Sequence, residues 1–162
     1  MEIWDAYDQY GFITGLTLNR DQNIPQGLFH LVVDVILFHE DGDVLMMKRH
    51  PKKKAFPAYF EATAGGSALK GENAKQAILR ELKEETGIVP QCLTFLNREW
   101  FSERSYFVDH FIAKYNGAKD IITLQEGETV DYIWLKPEYI DLFLSKNKLI
   151  PSHQFSIWYY YT

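Results

Sequence analysis

One cysteine in 162 residues, Cys92, excludes an intrachain disulfide framework and fits a reducing compartment, where a single thiol reads as an inert, packed side chain. Apolar runs are short, none approaching the roughly 18–20 residues that span a bilayer. The opening Met1-Glu2-Ile3-Trp4-Asp5 lacks the basic and apolar regions of a secretory signal. No Pro/Gly/Ser-rich linker, low-complexity tract or internal repeat divides the chain. Basic residues are in deficit, 17 against 22 acidic, for a net charge of −5. That balance argues against a protein that coats DNA or RNA, while a local basic patch remains free to bind phosphate. These absences lead to the expectation of a cytoplasmic chain whose residues 1–162 form one domain, with no nucleic-acid polymer and no membrane as partner.

What is present belongs to a protein with a real core. The chain is 46% hydrophobic and 15% aromatic, which excludes disorder as a description of the whole. Residues 12–18 are β-prone, and residues 29–39, rich in Val, Ile and Phe, read as a buried strand. The Asp41-Gly42 pair predicts a hairpin that returns Val44–Arg49 antiparallel to it. Further strands are expected over residues 59–64 and 93–101, and at Tyr106–Tyr115 and Thr129–Leu135. Asn73 is a good N-cap with Gln76 at the capping-box position, and Gly87 supplies a left-handed stop after Thr86. A second helix is expected after Lys136, with Pro137 in its first turn, through Leu144, and a weaker one over residues 153–160. Strands mixed with two or three helices predict an α/β sandwich around a mixed sheet.

The first of these helices is acidic where it should be apolar. On a wheel of about 100° per residue with Ala74 at zero, Ile78 and Leu82 fall at roughly 40° and 80°. Glu81, at about 340°, and Glu85, at about 20°, lie inside that apolar arc, with Glu84 flanking it at about 280°. Desolvated carboxylates crowded together are costly. A multivalent cation relieves the crowding, and hard oxygen donors select Mg²⁺ or Mn²⁺.

The spacing Gly66, five residues, Glu72, seven residues, Arg80-Glu81-Leu82, Lys83, Glu84-Glu85, Thr86, Gly87-Ile88 agrees with every fixed position of the Nudix box. The chain therefore resembles the Nudix (MutT-like) hydrolases, over about residues 28–145. The resemblance implies an α/β/α sandwich around a mixed sheet, with a loop–helix–loop box over residues 66–88 and an N-terminal extension over 1–27. It implies a Mg²⁺-dependent pyrophosphohydrolase, with Mn²⁺ as a substitute, acting on a small-molecule diphosphate such as a nucleoside diphosphate derivative. Carried onto this chain, Glu84, Glu85 and the main-chain carbonyl of Gly66 would be metal ligands. Glu81 would be a ligand or the general base, and Glu72 and Arg80 would orient the cluster. The chemistry agrees, since water attack on a diphosphate first needs charge neutralisation, then a carboxylate to take the proton.

Other candidates are less sharply marked. Glu126, ahead of Glu128, precedes the last strand, where an acid in many family members completes the metal site or acts as base. Lys48 or Arg49, at a strand end, is placed to reach a substrate phosphate, while Lys52, Lys53 and Lys54 read as a solvated loop. Trp100, Phe101, Tyr106 and Phe107 flank a hairpin turn, and read as core or dimer packing before base stacking.

Trp4-Asp5-Ala6-Tyr7-Asp8, Gly15, residues 25–31 and residues 62–66 resemble the isopentenyl-diphosphate-isomerase-like branch of the family. His30 stands where the true isomerases place a metal-binding histidine. Their active-site cysteine, however, is Gly65 here, a histidine ligand is Ser67, and the acidic pair expected around Ser105 and Phe107 is missing. The reading is an isomerase-like body with hydrolase chemistry, and His30 as a core residue. Isomerase activity and a non-catalytic nucleotide sensor are the alternatives, and the 1–27 extension is a candidate arm for a homodimer. No proline lies between Gln91 and Lys136, which argues against an ADP-ribose pyrophosphatase assignment.

Overall fold

His30–His39 forms β3, apolar on both faces and therefore placed at the centre of a mixed sheet. The computed structural model describes residues 2–151. An N-terminal pair, β1 (Ile3–Tyr7) and β2 (Ile13–Asn19), makes a separate two-stranded antiparallel sheet. Then come β3, β4 (Val44–Arg49), β5 (Phe60–Glu61), β6 (Thr63–Ser67), α1 (Ala74–Thr86), β7 (Cys92–Phe101), β8 (Tyr106–Tyr115), β9 (Thr129–Leu135) and α2 (Ile140–Lys146). Among the described residues these strands give a seven-stranded sheet in the order β5-β4-β3-β8-β7, with β6 on β3 and β9 on β4. The expected helix over residues 153–160 lies outside the described residues.

The Asp41-Gly42 turn forms, with the His39 N–H donating to Asp43 O at 2.8 Å and Gly42 at φ +94°. The long hairpin expected to follow does not. β3 and β4 meet only at Phe38 and Val44, and β4 then diverges to pair along its length with β9. β6 takes the freed edge of β3, antiparallel from Val32↔Ser67 to Ile36↔Thr63. β8 takes the other edge, parallel from His30↔Tyr106 to His39↔Tyr115. The reason lies in β4 itself. Val44 and Met46 point into one core while Leu45 and Met47 point into the other, so the strand must be covered on both sides and flanked on both edges. The expected strand over residues 59–64 is interrupted for the same reason, β5 going to β4 and β6 to β3. β1 adds a strand to those expected.

Helices cover both faces. Ala77, Ile78 and Leu82 of α1 are buried against Leu31, Val33, Val35 and Leu37, while Ile140 of α2 packs with Ile36, Val44, Met46 and Leu135. Full burial of a side chain such as Ile78 or Leu82 stabilises by roughly 1.5–3 kcal/mol. The capping box predicted for α1 is present, the Gln76 N–H donating to Asn73 Oδ1 and the Asn73 N–H to Gln76 Oε1, both at 2.9 Å. Gly87, at φ +77°, ends it. The second helix opens as a 3₁₀ turn, Pro137–Tyr139, before α2 proper.

Cys92 corrects an expectation. It starts β7, an edge strand paired only with β8, and its thiol is exposed rather than packed. Trp100 and Phe107 do pack together, ring centroids 4.6 Å apart, with Phe29 edge-on to Trp100 and Phe107 fully buried. Phe101 stacks on Tyr106 at 4.9 Å.

The β3–β6 register depends on Gly65. A Cβ there would overlap Val33 O and come within 2.8 Å of Asp34 Cα, and main chain cannot yield as a side chain can. Gly65→Ala is expected to cost at least about 2 kcal/mol in urea unfolding. A loss below about 0.5 kcal/mol would show that β6 can shift on β3.

Candidate active site

β3 and β4 part after one pair, and a cleft of about 710 Å³ lies where they separate, walled by β3, β4, β6 and α1. α1 buries Ala77, Ile78, Leu82 and Thr86, which leaves Glu81 and Glu85 half-buried on the flank of that stripe and Glu84 outward. All three carboxylates line the cleft.

Gly66 is the contact that admits the helix this close. A Cβ on it would lie 2.6 Å from Glu81 Oε1, so the carboxylate occupies the space of the absent side chain. Arg80 then organises the outer acids. Its Nε and Nη2 donate to the two oxygens of Glu72 at 2.7 and 3.0 Å, a bidentate pair. Its Nη1 donates to Glu81 at 2.7 Å and Glu84 at 3.2 Å, and Nη2 reaches Ser67 O at 3.1 Å. Glu72 also accepts the Leu69 N–H at 2.9 Å, so the loop between β6 and α1 is fastened to the helix. The Arg80 guanidinium holds the Glu72 carboxyl below its usual range.

Among the described residues Glu85 has no such cation. The Gly65 N–H donates to its Oε1 at a long 3.4 Å. Burial first, then the neighbouring Glu61 and Glu81 carboxylates, push its carboxyl up to about 8. Burial also raises Glu81, against the pull of Arg80. Among the described residues no three His, Cys, Asp or Glu groups stand around one point. Arg80 accounts for this by drawing Glu81 and Glu84 to itself. The donor set nevertheless fits a hard divalent cation. It consists of carboxylate oxygens and main-chain carbonyls, and a cation beside Glu85 would favour the ionised form that burial and the neighbouring acids disfavour.

Two further acids line the cleft: Glu61, not foreseen from the sequence, and Glu128, expected there only after Glu126. Glu61, on β5, accepts from Arg49 Nη1 at 2.7 Å, yet burial raises its carboxyl despite that cation. Its signal was available, as the one charged residue in an otherwise uncharged strand, residues 59–64. Glu128 pairs with Lys53 on the opposite wall. Of the two loop acids Glu128 lines the cleft, whereas Glu126 is exposed and outside its lining. Arg49 and Lys53 also line it, while Lys48 lies over the Phe60 ring at 5.7 Å, away from the acids. His30 is buried and stacked on Trp4 at 4.1 Å, its Nδ1 without a partner, and burial lowers its pKa.

The mixed sheet thus carries a glutamate-bearing helix, α1, behind the Gly-Gly strand β6. A family model of the NUDIX domain matches residues 28–156, and the chain belongs to that family. An uncharacterized Nudix hydrolase of Listeria monocytogenes is 32% identical over 151 residues, covering 93% of this chain and 89% of that one. The crystal structure of DR0079 from Deinococcus radiodurans shares the fold, with TM-score 0.73 at 19% identity, over 99% of this chain and 100% of that one. The α/β/α sandwich and the hydrolase assignment therefore hold. Likeness to the isomerase branch is partial: an isopentenyl-diphosphate Delta-isomerase of Halobacterium salinarum is 31% identical over 77 residues, 48% of this chain and 36% of that one. Gly65 has no room for a side chain.

Since the folded-state pKa of Glu72 is lowered, its contribution to stability is full above its ordinary value of 4.5 and is lost as pH falls through the lowered one. Glu72→Gln is expected to lose about 1–2 kcal/mol at pH 7, the gap from wild type closing in acid, as read by urea unfolding across pH. A gap that stays constant down to pH 2 would remove the ion pair as its cause.

Proposed function

We propose that the chain is a divalent-cation-dependent hydrolase of nucleoside diphosphate derivatives or related small organic diphosphates, acting by water attack on phosphorus. Glu85 carries the reading: a desolvated carboxyl among other acids, with one long main-chain hydrogen bond and no cationic partner. Mg²⁺, or Mn²⁺ in its place, would be held by Glu84, Glu85 and the carbonyl of Gly66, with Glu81 as a further ligand or, as below, the general base. When bound, such an ion neutralises phosphoryl oxygens and lowers the pKa of its water.

The chain's own residues do the rest. Arg80 positions Glu81 and Glu84 while it remains braced on Glu72. Arg49 and Lys53, on the opposite wall, supply positive charge for substrate phosphate. A carboxylate of the cleft takes the proton of the attacking water. Glu81 is the group for that role, with Glu128 rather than Glu126 on the cleft side of the last loop.

The whole chain works as one unit in this reading. The hairpin β1–β2 is fastened to the box loop, the Lys70 N–H donating to Ile3 O at 2.8 Å and the Gly71 N–H to Asp5 Oδ2 at 2.7 Å. The same hairpin offers a face for a homodimer. Residues 9–18 carry no charge, Tyr10 and Phe12 are 72% and 70% exposed, and β2 pairs only with β1. Sedimentation is expected to give a dimer that Leu16→Lys converts to monomer, and a wild-type monomer would end that proposal.

Glu85→Gln is expected to lower turnover by at least about a hundredfold with Mg²⁺ present, while binding of a diphosphate conjugate is kept. The readout is product release across nucleoside diphosphates, triphosphates and diphosphate conjugates. Tight binding without turnover of any of them would favour a sensor and overturn the hydrolase.

A further inference from the structure

The wall opposite α1 holds one carboxylate that the proposed chemistry leaves unused. Asp34 lies on β3, lines the cleft, and is the register partner of Gly65 on β6 and of His110 on β8. The His110 ring bridges two acids, its Nδ1 2.7 Å from Asp34 Oδ1 and its Nε2 3.3 Å from Glu99 Oε2 on β7. The adjacent pair on the same two strands is separate: Arg98 Nε donates to Asp109 Oδ1 at 2.6 Å, and Arg98 lies over the Phe107 ring on the other side of the sheet.

Charge matching in the cleft isolates Asp34 further. Arg20 is paired with Glu2, Arg49 with Glu61, Lys53 with Glu128, and Arg80 with Glu72, Glu81 and Glu84. Asp34 has only the imidazole of His110. That bond fixes Oδ1, while no hydrogen bond to a described residue holds Oδ2, on a side chain that is a quarter exposed and lines the cleft. The bond to Asp34, acting against burial, keeps His110 protonated to higher pH than an ordinary histidine.

Position gives this acceptor its meaning. The Gly65 N–H touches Glu85, and Asp34 lies beside Gly65 one strand further out, about 4.8 Å across the ladder. An organic group extending from the diphosphate toward β3 and β8 would lie beside Asp34. A hydrocarbon laid there would strip water from an ionised carboxylate and give nothing back, whereas a hydroxyl would donate to Oδ2.

We propose that Asp34, held in place by His110, is a specificity-determining residue that accepts a hydrogen bond from a hydroxyl of the substrate's organic group. It selects diphosphates of polyhydroxylated groups such as sugars over those of hydrocarbon chains. The proposal rests on the hydrolase reading and names which substrates that site takes.

Ribose 5-diphosphate and pentyl diphosphate make a matched test, with equal carbon number and one anhydride bond each. With Mg²⁺, wild type is expected to favour the ribose compound in kcat/KM by at least about tenfold. Asp34→Ala is expected to erase that preference through a rise of about ten- to a hundredfold in KM for the ribose compound alone, with kcat little changed. His110→Gln loosens Asp34 and falls between the two. Asp34→Asn, which keeps the shape and one acceptor oxygen, retains part of the preference and guards against a folding defect in the alanine variant. An equal loss on both compounds would make Asp34 structural, and equal wild-type use of both would end the proposal. Calorimetric binding of the same pair to Glu85→Gln protein reads the preference without turnover. If wild type hydrolyses neither compound, the hydrolase reading fails for this class, and the ratio of the two affinities still decides the role of Asp34.

Discussion

Arg80 is the side chain on which the cleft depends. Seven carboxylates line that cleft, and a wall so acidic would repel itself and any phosphate were its charges not distributed with care. Arg80 spends its planar fork on Glu72, Glu81, Glu84 and the carbonyl of Ser67 at once, something a lysine's point charge could not do. The loop before α1 and the outward acids of α1 thereby become one rigid piece. Among the described residues no lysine or arginine pairs with Glu85, and Glu61 and Glu81 press on it as like charges. The electrostatic imbalance is thus concentrated at one point, which is where a divalent ion has most to neutralise.

Two glycines set the distances on which this arrangement rests. Gly66 gives up its side-chain volume to the carboxylate of Glu81, and Gly65 gives up its own to the main chain of β3. The first brings the acidic helix against the sheet. The second lets β6 run close along β3 while β4 swings away to β9, and the separation of β3 from β4 is the cleft itself. The same closeness bears on chemistry, for a side chain at position 65 is sterically barred. A nucleophile or acid cannot be grafted there without moving the strand.

The N-terminal hairpin extends the cleft beyond the core of the fold. Its main chain is bonded to the box loop at Lys70 and Gly71, and Glu2 and Arg20 join the lining at its rim. Asp34 and His110 close the opposite wall from within the sheet. The glutamates of α1 and the Asp34–His110 pair thus belong to different elements, so the specificity proposed for the latter could change while α1 stays as it is.

The amino-acid sequence by itself determined the local elements and the chemical core. Asn73 and Gln76 cap α1, Gly87 ends it, and the glutamates at 81, 84 and 85 point to the cation site proposed above because acids crowded along an apolar stripe are costly to desolvate without positive charge. These features depend on contacts within four residues or on a fixed helical period, so they can be read along one dimension. Asp34 and His110 could not be assigned that way. Each looks like an ordinary strand residue until β6 and β8 flank β3 and bring the pair to the cleft. Pairing of β4 with β9 in place of β3 was equally invisible, since the Asp-Gly turn formed as its local chemistry demands. Only the need to cover both faces of β4 decided where the strand went after that turn, and burial of that kind is a property of the assembled sheet.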